Sequence, residues 1–301
     1  MLYIKKLTKQ ILVICLLILS TSFSDASSSE IKGNTLFNRL SIMNSWFYKT
    51  DLDTVQQAEL LKRIGVPRIC LSLGNSKDRL DAFPQTVKTL DNAGVEIAAI
   101  YIGANIDSPE LADNVIKVIN LLKGRNTLVW FTLSSKNHSP SAAEGDAMAV
   151  KLLKQASDIA KNNNLEISLY PHFGSWLERT SDALRIISKL KCDNVGCTVN
   201  LYHWLKVEGP DNLAELAKAA APHLNCVTIN GSRNNAKVLK VEEGILPLGE
   251  GDTDVEAFVK TFIESGYKGP FPLQGYGIGG DVEAKLKQSV EQWRGYCSRI
   301  K

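Results

Sequence analysis

The chain has 301 residues, 44% of them hydrophobic, with 35 Lys and Arg against 32 Asp and Glu. That length suits one large domain, and the apolar content excludes a disordered chain. A net charge of +3 is too small for a basic nucleic-acid-binding surface, so no nucleic-acid partner is expected.

The first segment has the layout of a leader. Lys5, Lys6 and Lys9 precede apolar Ile11–Leu19, and mostly small or polar residues continue to Ser29. This is the order of a secretory signal peptide. The apolar run falls short of the ~20 residues a membrane span needs. The expectation is a signal peptide over 1–26 and one domain over 27–301. The protein would then be periplasmic or secreted, with no stable membrane anchor after cleavage; an uncleaved anchor is the alternative. Cys15 lies inside the apolar run. Five cysteines remain, and an odd number cannot pair fully within one chain. Cys70 and Cys226 lie in apolar runs and read as small core residues. Cys192 and Cys197 flank a short loop and are candidates for a local disulfide. No second close Cys or His pair offers a zinc site.

After the leader, apolar runs and helical patterns alternate eight times. The predicted strands are Leu40–Phe47, Pro67–Leu73, Glu96–Ile102, Thr127–Ser134, Glu166–His172, Gly196–Asn200, Cys226–Asn230 and Phe271–Tyr276. Predicted helices separate or follow them over Asp53–Ile64, Asp78–Asn92, Pro109–Leu122, Ala142–Lys161, Trp176–Leu190, Asn212–Ala221, Asp254–Ser265 and Asp281–Arg294. The second is weakened by Pro84. Asp51 or Asp53, Ser108, and Asp252 or Thr253 are candidate N-caps, and Gly65, Gly94 and Gly266 mark helix ends. Eight βα units in one domain predict an α/β fold closed into a (β/α)₈ TIM barrel. A doubly wound open sheet is disfavoured, since no Gly-rich phosphate turn follows the first strand.

Strand side chains alternate between the helix-facing and interior faces. Ile167 and Leu169 should face the helices, which turns Ser168, Tyr170 and His172 inward. The same parity turns Thr198 and Asn200, Thr228 and Asn230, and Gln274 and Tyr276 inward, with Trp130 and Thr132 on the fourth strand. His203 lies just past the sixth strand. A polar set converging on the C-terminal mouth suits a small, hydroxyl-rich ligand. Trp130, Trp176 and Trp204 are candidates for stacking on its apolar faces; the plainer alternative is that they pack in the core. The loop Pro247–Asp254 before a helix could in principle take a phosphate. Glu250, Asp252 and Asp254 would repel one, so an unphosphorylated ligand is expected.

Tyr170-Pro171-His172, Asn200-Leu201-Tyr202-His203, Pro247-Leu248-Gly249-Glu250-Gly251-Asp252 and Gly266-Tyr267-Lys268-Gly269-Pro270 resemble the xylose isomerase-like TIM barrels. That group includes sugar phosphate isomerases and epimerases, and a secreted branch of it is the nearer likeness. In metal-dependent members, Glu, Asp, His and Glu at the ends of strands five to eight hold a divalent ion, and the two Glu move protons. The resemblance carries these positions onto Tyr170, Asn200, Thr228 or Asn230, and Gln274. None is a carboxylate, whereas a hard divalent ion wants anionic oxygen. The expectation is therefore a site without a metal or other cofactor, suited to a neutral polyol. A metal enzyme with ligands elsewhere is the third possibility.

Proton transfer then falls to imidazole, whose ordinary pKa suits it. His172 and His203 are the candidate acid and base, and Tyr170 a candidate donor to a developing oxyanion. Asn200, Asn230, Gln274, Tyr276, Trp130 and Trp176 are the candidate substrate-binding residues. The expected activity is isomerisation or epimerisation of a small-molecule carbohydrate or keto-sugar, with a keto-sugar lyase next. The alternative is a catalytically silent barrel that binds sugar or a partner.

Overall fold

The computed structural model describes residues 36–300. The expected leader, with Cys15, lies outside them. Among the described residues no helix is long and apolar enough to cross a membrane.

Eight strands form one parallel sheet: β1 (Leu40–Met43), β2 (Arg68–Gly74), β3 (Glu96–Asn105), β4 (Leu128–Ser134), β5 (Ile167–Leu169), β6 (Val195–Asn200), β7 (Leu224–Thr228) and β8 (Phe271–Leu273). Each pairs with its sequence neighbour, and β1 also pairs with β8. The last seam, between β7 and β8, is closed by Val227 N–H donating to Pro270 O at 3.3 Å and by two bonds just beyond β7. Ile229 N–H donates to Pro272 O at 2.9 Å, and Gln274 N–H donates to Ile229 O at 2.8 Å. Pro272 has no N–H to offer, so this seam is the thinnest in the barrel.

The helices facing the sheet are α1 (Thr54–Arg63), α2 (Lys77–Ala93), α3 (Asp113–Leu121), α4 (Asp146–Asn162), α5 (Thr180–Leu190), α6 (Leu201–Val207), α7 (Leu213–Ala220), α8 (Val241–Gly244), α9 (Val255–Glu264) and α10 (Val282–Arg299). Asp53 and Gln56 form a capping box that starts α1. Pro84 does not break α2. Ser76 caps its start, Gly94 ends it at φ 69°, and Leu80, Phe83, Val87 and Leu90 bury one face. That burial outweighs the lost hydrogen bond and the ring clash of an interior proline. Neither Ser108 nor Asp252 caps a helix. The α3 N-cap is Ala112, Asp254 caps α9, and Asp252 accepts from Asn234 N–H at 2.7 Å.

Two apolar regions result. The larger fills the space between sheet and helices. The smaller plugs the barrel interior with Met43, Cys70, Ala98, Ala99, Trp130, Tyr170 and Cys226. Cys70 and Cys226 are thus buried, and burial pushes the Cys70 thiol up to about 12. Among the described residues Cys192 and Cys197 are unpaired, which corrects the expectation of a disulfide between them. Strand parity locks Cys197 into the outer core, while Cys192 Sγ faces Leu190 O at 3.7 Å.

Candidate active site

At the C-terminal mouth of the barrel lies a cavity of about 460 Å³. Tyr170, His172, His203 and Gln274 line it. So do Ser45, Tyr48, Ser72, Arg79, Tyr101 and Tyr276. The strand ends explain the placement. Tyr170 N–H still pairs with Phe131 O on β4, but Pro171 cannot donate, and the chain leaves the sheet there. Leu177 N–H then takes up Leu133 O and Leu177 O accepts from His172 N–H at 2.9 Å, so the intervening turn is tied back to β4. Gln274 is held from the other side. Trp46 Nε1–H donates to Leu273 O at 3.2 Å, and a Cβ on Gly275 would fall 2.3 Å from the Trp46 ring. Only glycine lets the backbone pass so close to the indole.

Beneath the cavity floor the four side chains that end strands five to eight meet on one atom. Asn200 Nδ2 is 2.6 Å from Tyr170 OH, 2.5 Å from Thr228 Oγ1 and 2.9 Å from Gln274 Oε1. Asn200 Oδ1 accepts from His203 N–H at 2.8 Å, capping α6. That bond fixes the orientation of the amide, because a flipped Asn200 would set its NH₂ against an N–H. The hub is therefore a donor. Two hydrogens serve Gln274 Oε1, which can only accept, and one of the two hydroxyl oxygens.

This arrangement does not fit a divalent cation. The group at its centre already carries hydrogens. Burial raises the Tyr170 phenol, which stays protonated, and the other three side chains are neutral amides or a hydroxyl. Among the described residues no group of three or more His, Cys, Asp and Glu is placed to hold a metal.

Above the hub the His172 and His203 rings lie 4.0 Å apart, centroid to centroid, tilted by 43°. His172 Nδ1 is 2.8 Å from Phe173 O. A carbonyl can only accept, so Nδ1 carries the proton and the neutral ring keeps its Nε2 lone pair free. Burial lowers the His172 pKa, so the ring is neutral near pH 7. His203 is lowered well below the ordinary value of 6.5, by burial first and by His172 second, and its Nδ1 is buried without a partner. Two imidazolium ions cannot share this spacing cheaply, so the pair takes up one proton at a time.

These shifts have a consequence for stability. The folded values are depressed, so the unfolded chain binds protons first as pH falls. Stability from the pair is complete above about pH 6.5 and is lost as pH drops toward the folded values. The urea midpoint is expected to fall between about pH 7.5 and about pH 5, and His203→Phe should flatten that fall. An equally steep fall in the variant would remove His203 from this account.

A family model for the xylose isomerase-like TIM barrel matches residues 78–295. The chain belongs to this family. No curated protein matches it. Among solved structures, this xylose isomerase-like barrel superposes on the Escherichia coli 3-keto-D-glucoside 4-epimerase with a TM-score of 0.62 at 16% identity. The match covers 85% of this chain and 99% of that one. A D-allulose 3-epimerase from Methylomonas sp. gives 0.64 at 16% identity, covering 84% and 97%. The IolI protein, in a structure with a bound zinc atom, gives 0.67 at 15% identity, covering 87% and 99%. At these identities the likeness is one of fold.

Within this xylose isomerase-like barrel, Tyr170, His172, Asn200, Gln274 and Tyr276 gather as the strand parity predicts, and His203, just past β6, joins them against His172. Three candidate residues are corrected. Trp130 lies one layer deeper, packed on Tyr170 at 5.3 Å between ring centroids and off the cavity wall. Trp176 donates from Nε1 to Ala142 O at 2.9 Å and packs against Gly145 outside the barrel. Asn230 turns its Nδ2–H to Gly231 O at 2.7 Å, in a turn that pairs with Leu246 and Gly251. Tyr48, Ser72, Arg79 and Tyr101 are additions. Tyr101 was accessible to the parity argument, because Ile100 and Ile102 are the outward residues of β3. Arg79 was not, because it sits on α2 and reaches the cavity from outside the sheet.

Proposed function

We propose that this barrel is a sugar isomerase or epimerase acting on an unphosphorylated carbohydrate or keto-sugar, with His172 as the proton-transfer group and no metal. The observation that carries the reading is the His172 ring, locked as the Nδ1–H tautomer with a free Nε2 on the cavity wall. A neutral imidazole of that kind can take a proton from carbon next to a carbonyl. His203, stacked on it, is the partner that receives or returns the proton. Gln274 and Tyr170, held by the Asn200 hub, orient hydroxyl and carbonyl oxygens. The sugar epimerases among the structural neighbours support a carbohydrate ligand.

A second reading has one observation in its favour: among the described residues no carboxylate lines the cavity, although the resemblance gives the proton-moving role to Glu. On that reading the barrel binds sugar or a partner without turning it over. The test is exchange of substrate C–H for solvent deuterium across a panel of sugars and keto-sugars, read by NMR. Exchange at a carbon adjacent to a carbonyl supports the enzyme. Saturable binding with no exchange supports the silent barrel. A lyase would instead show an eliminated product. The order of basic Lys5, Lys6 and Lys9 before apolar Ile11–Leu19 supports a periplasmic or secreted setting for this chemistry.

A further inference from the structure

Among the described residues, Arg79 is the only Lys, Arg, Asp or Glu on the cavity wall. One end of its guanidinium is pinned: Nη1 lies 3.2 Å from both Tyr48 OH and Ser72 O, and the group lies over the Tyr48 ring at 4.9 Å. Among the described residues it makes no ion pair, and neither Nε nor Nη2 has a hydrogen-bond partner. Tyr276 meets Tyr48 edge-on, with ring centroids 6.2 Å apart, and completes this side of the rim. Glu242 packs on Gly277 but is not on the wall. Among the described residues, a cavity wall with one positive charge, no negative one, and a guanidinium held at one end with donors to spare matches a planar carboxylate.

We propose that Arg79 recognises a carboxylate, so that the sugar this cavity takes is an acidic one of the uronate class. This rests on the carbohydrate reading above and narrows it, replacing the neutral polyol expected from the missing acids. Arg79 meets Tyr48 on one side of the cavity, whereas the histidines sit beside Tyr170, above the Asn200 hub. One guanidinium edge offers two parallel N–H groups, enough for a carboxylate. A phosphate dianion would want further donors, and the wall supplies no second cation.

The experiment is calorimetric binding of D-glucuronate and D-galacturonate, the matching neutral hexoses and their 6-phosphates to wild type, Arg79→Gln and Arg79→Lys. Wild type is expected to bind a uronate more tightly than its hexose and its phosphate. Arg79→Gln should lose roughly ten- to a hundredfold in uronate affinity with little change for the hexose, and Arg79→Lys should fall between. Equal uronate binding in wild type and Arg79→Gln, preference for the phosphate or hexose, or no uronate binding at all would overturn the proposal. A uronate that binds through Arg79 but exchanges no proton would instead sink the isomerase reading and leave the carboxylate site standing.

Discussion

Replacing His172 by Ala is expected to lower solvent-deuterium exchange by about 10²- to 10⁴-fold while ligand affinity changes little. The size follows from what the ring does. Its Nδ1–H is committed to Phe173 O, its ring lines the cavity with Nε2 unprotonated, and burial keeps it neutral. Among the described residues no carboxylate lies on the wall to take over. Because its pKa is depressed, the base form persists below pH 6.5, and the acidic limb of the rate profile should lie under that value. His172→Gln keeps a polar group of similar reach and should likewise retain binding while exchange stays lost. Unchanged exchange in both variants would assign the proton to another residue.

Asn200→Ala carries the largest expected effect on stability. It removes the cap of α6, worth about 1 kcal/mol. It also strips Gln274 Oε1 of its buried donor and leaves two hydroxyls to re-pair, at about 1–3 kcal/mol. The sum is a loss of about 2–4 kcal/mol, readable as a shift in the urea midpoint without a change in slope. Asn200→Asp separates the two contributions. It keeps the oxygen that accepts from His203 N–H, but it turns an acceptor toward Gln274 Oε1. If Asn200→Asp were as stable as wild type, the donor geometry at the hub would be wrong.

The barrel was legible because parallel strands buried on both sides leave apolar runs with polar ends, and the helices between them carry amphipathic spacing and caps. Strand parity then brought Tyr170, Asn200 and Gln274 to one place. What parity could not supply was depth. Trp130 faces inward as predicted, yet it lies a layer below the cavity, because side chains in a barrel stack in layers. Nor could parity follow the chain beyond a strand. Asn230 sits two residues past β7, where the backbone has already turned into the loop that meets Leu246. Leu201–Val207 looks like an exposed aromatic run but is a helix with its first five residues buried, started by the Asn200 cap. A polar strand end that also caps the next helix is a signal that can be read in advance. Arg79 had no such signal, since its reach to the cavity depends on where α2 packs.

The central claim is that the Asn200 amide, its Nδ2 donor meeting Tyr170, Thr228 and Gln274, stands where the resemblance puts a metal-binding carboxylate. The most direct test is elemental analysis of protein purified without chelator, followed by calorimetric titration with Mn²⁺ and Zn²⁺. The account predicts far less than one ion per chain, no saturable uptake at the barrel mouth, and exchange that survives chelator. One tightly held ion per chain, lost together with activity on chelation, would contradict it.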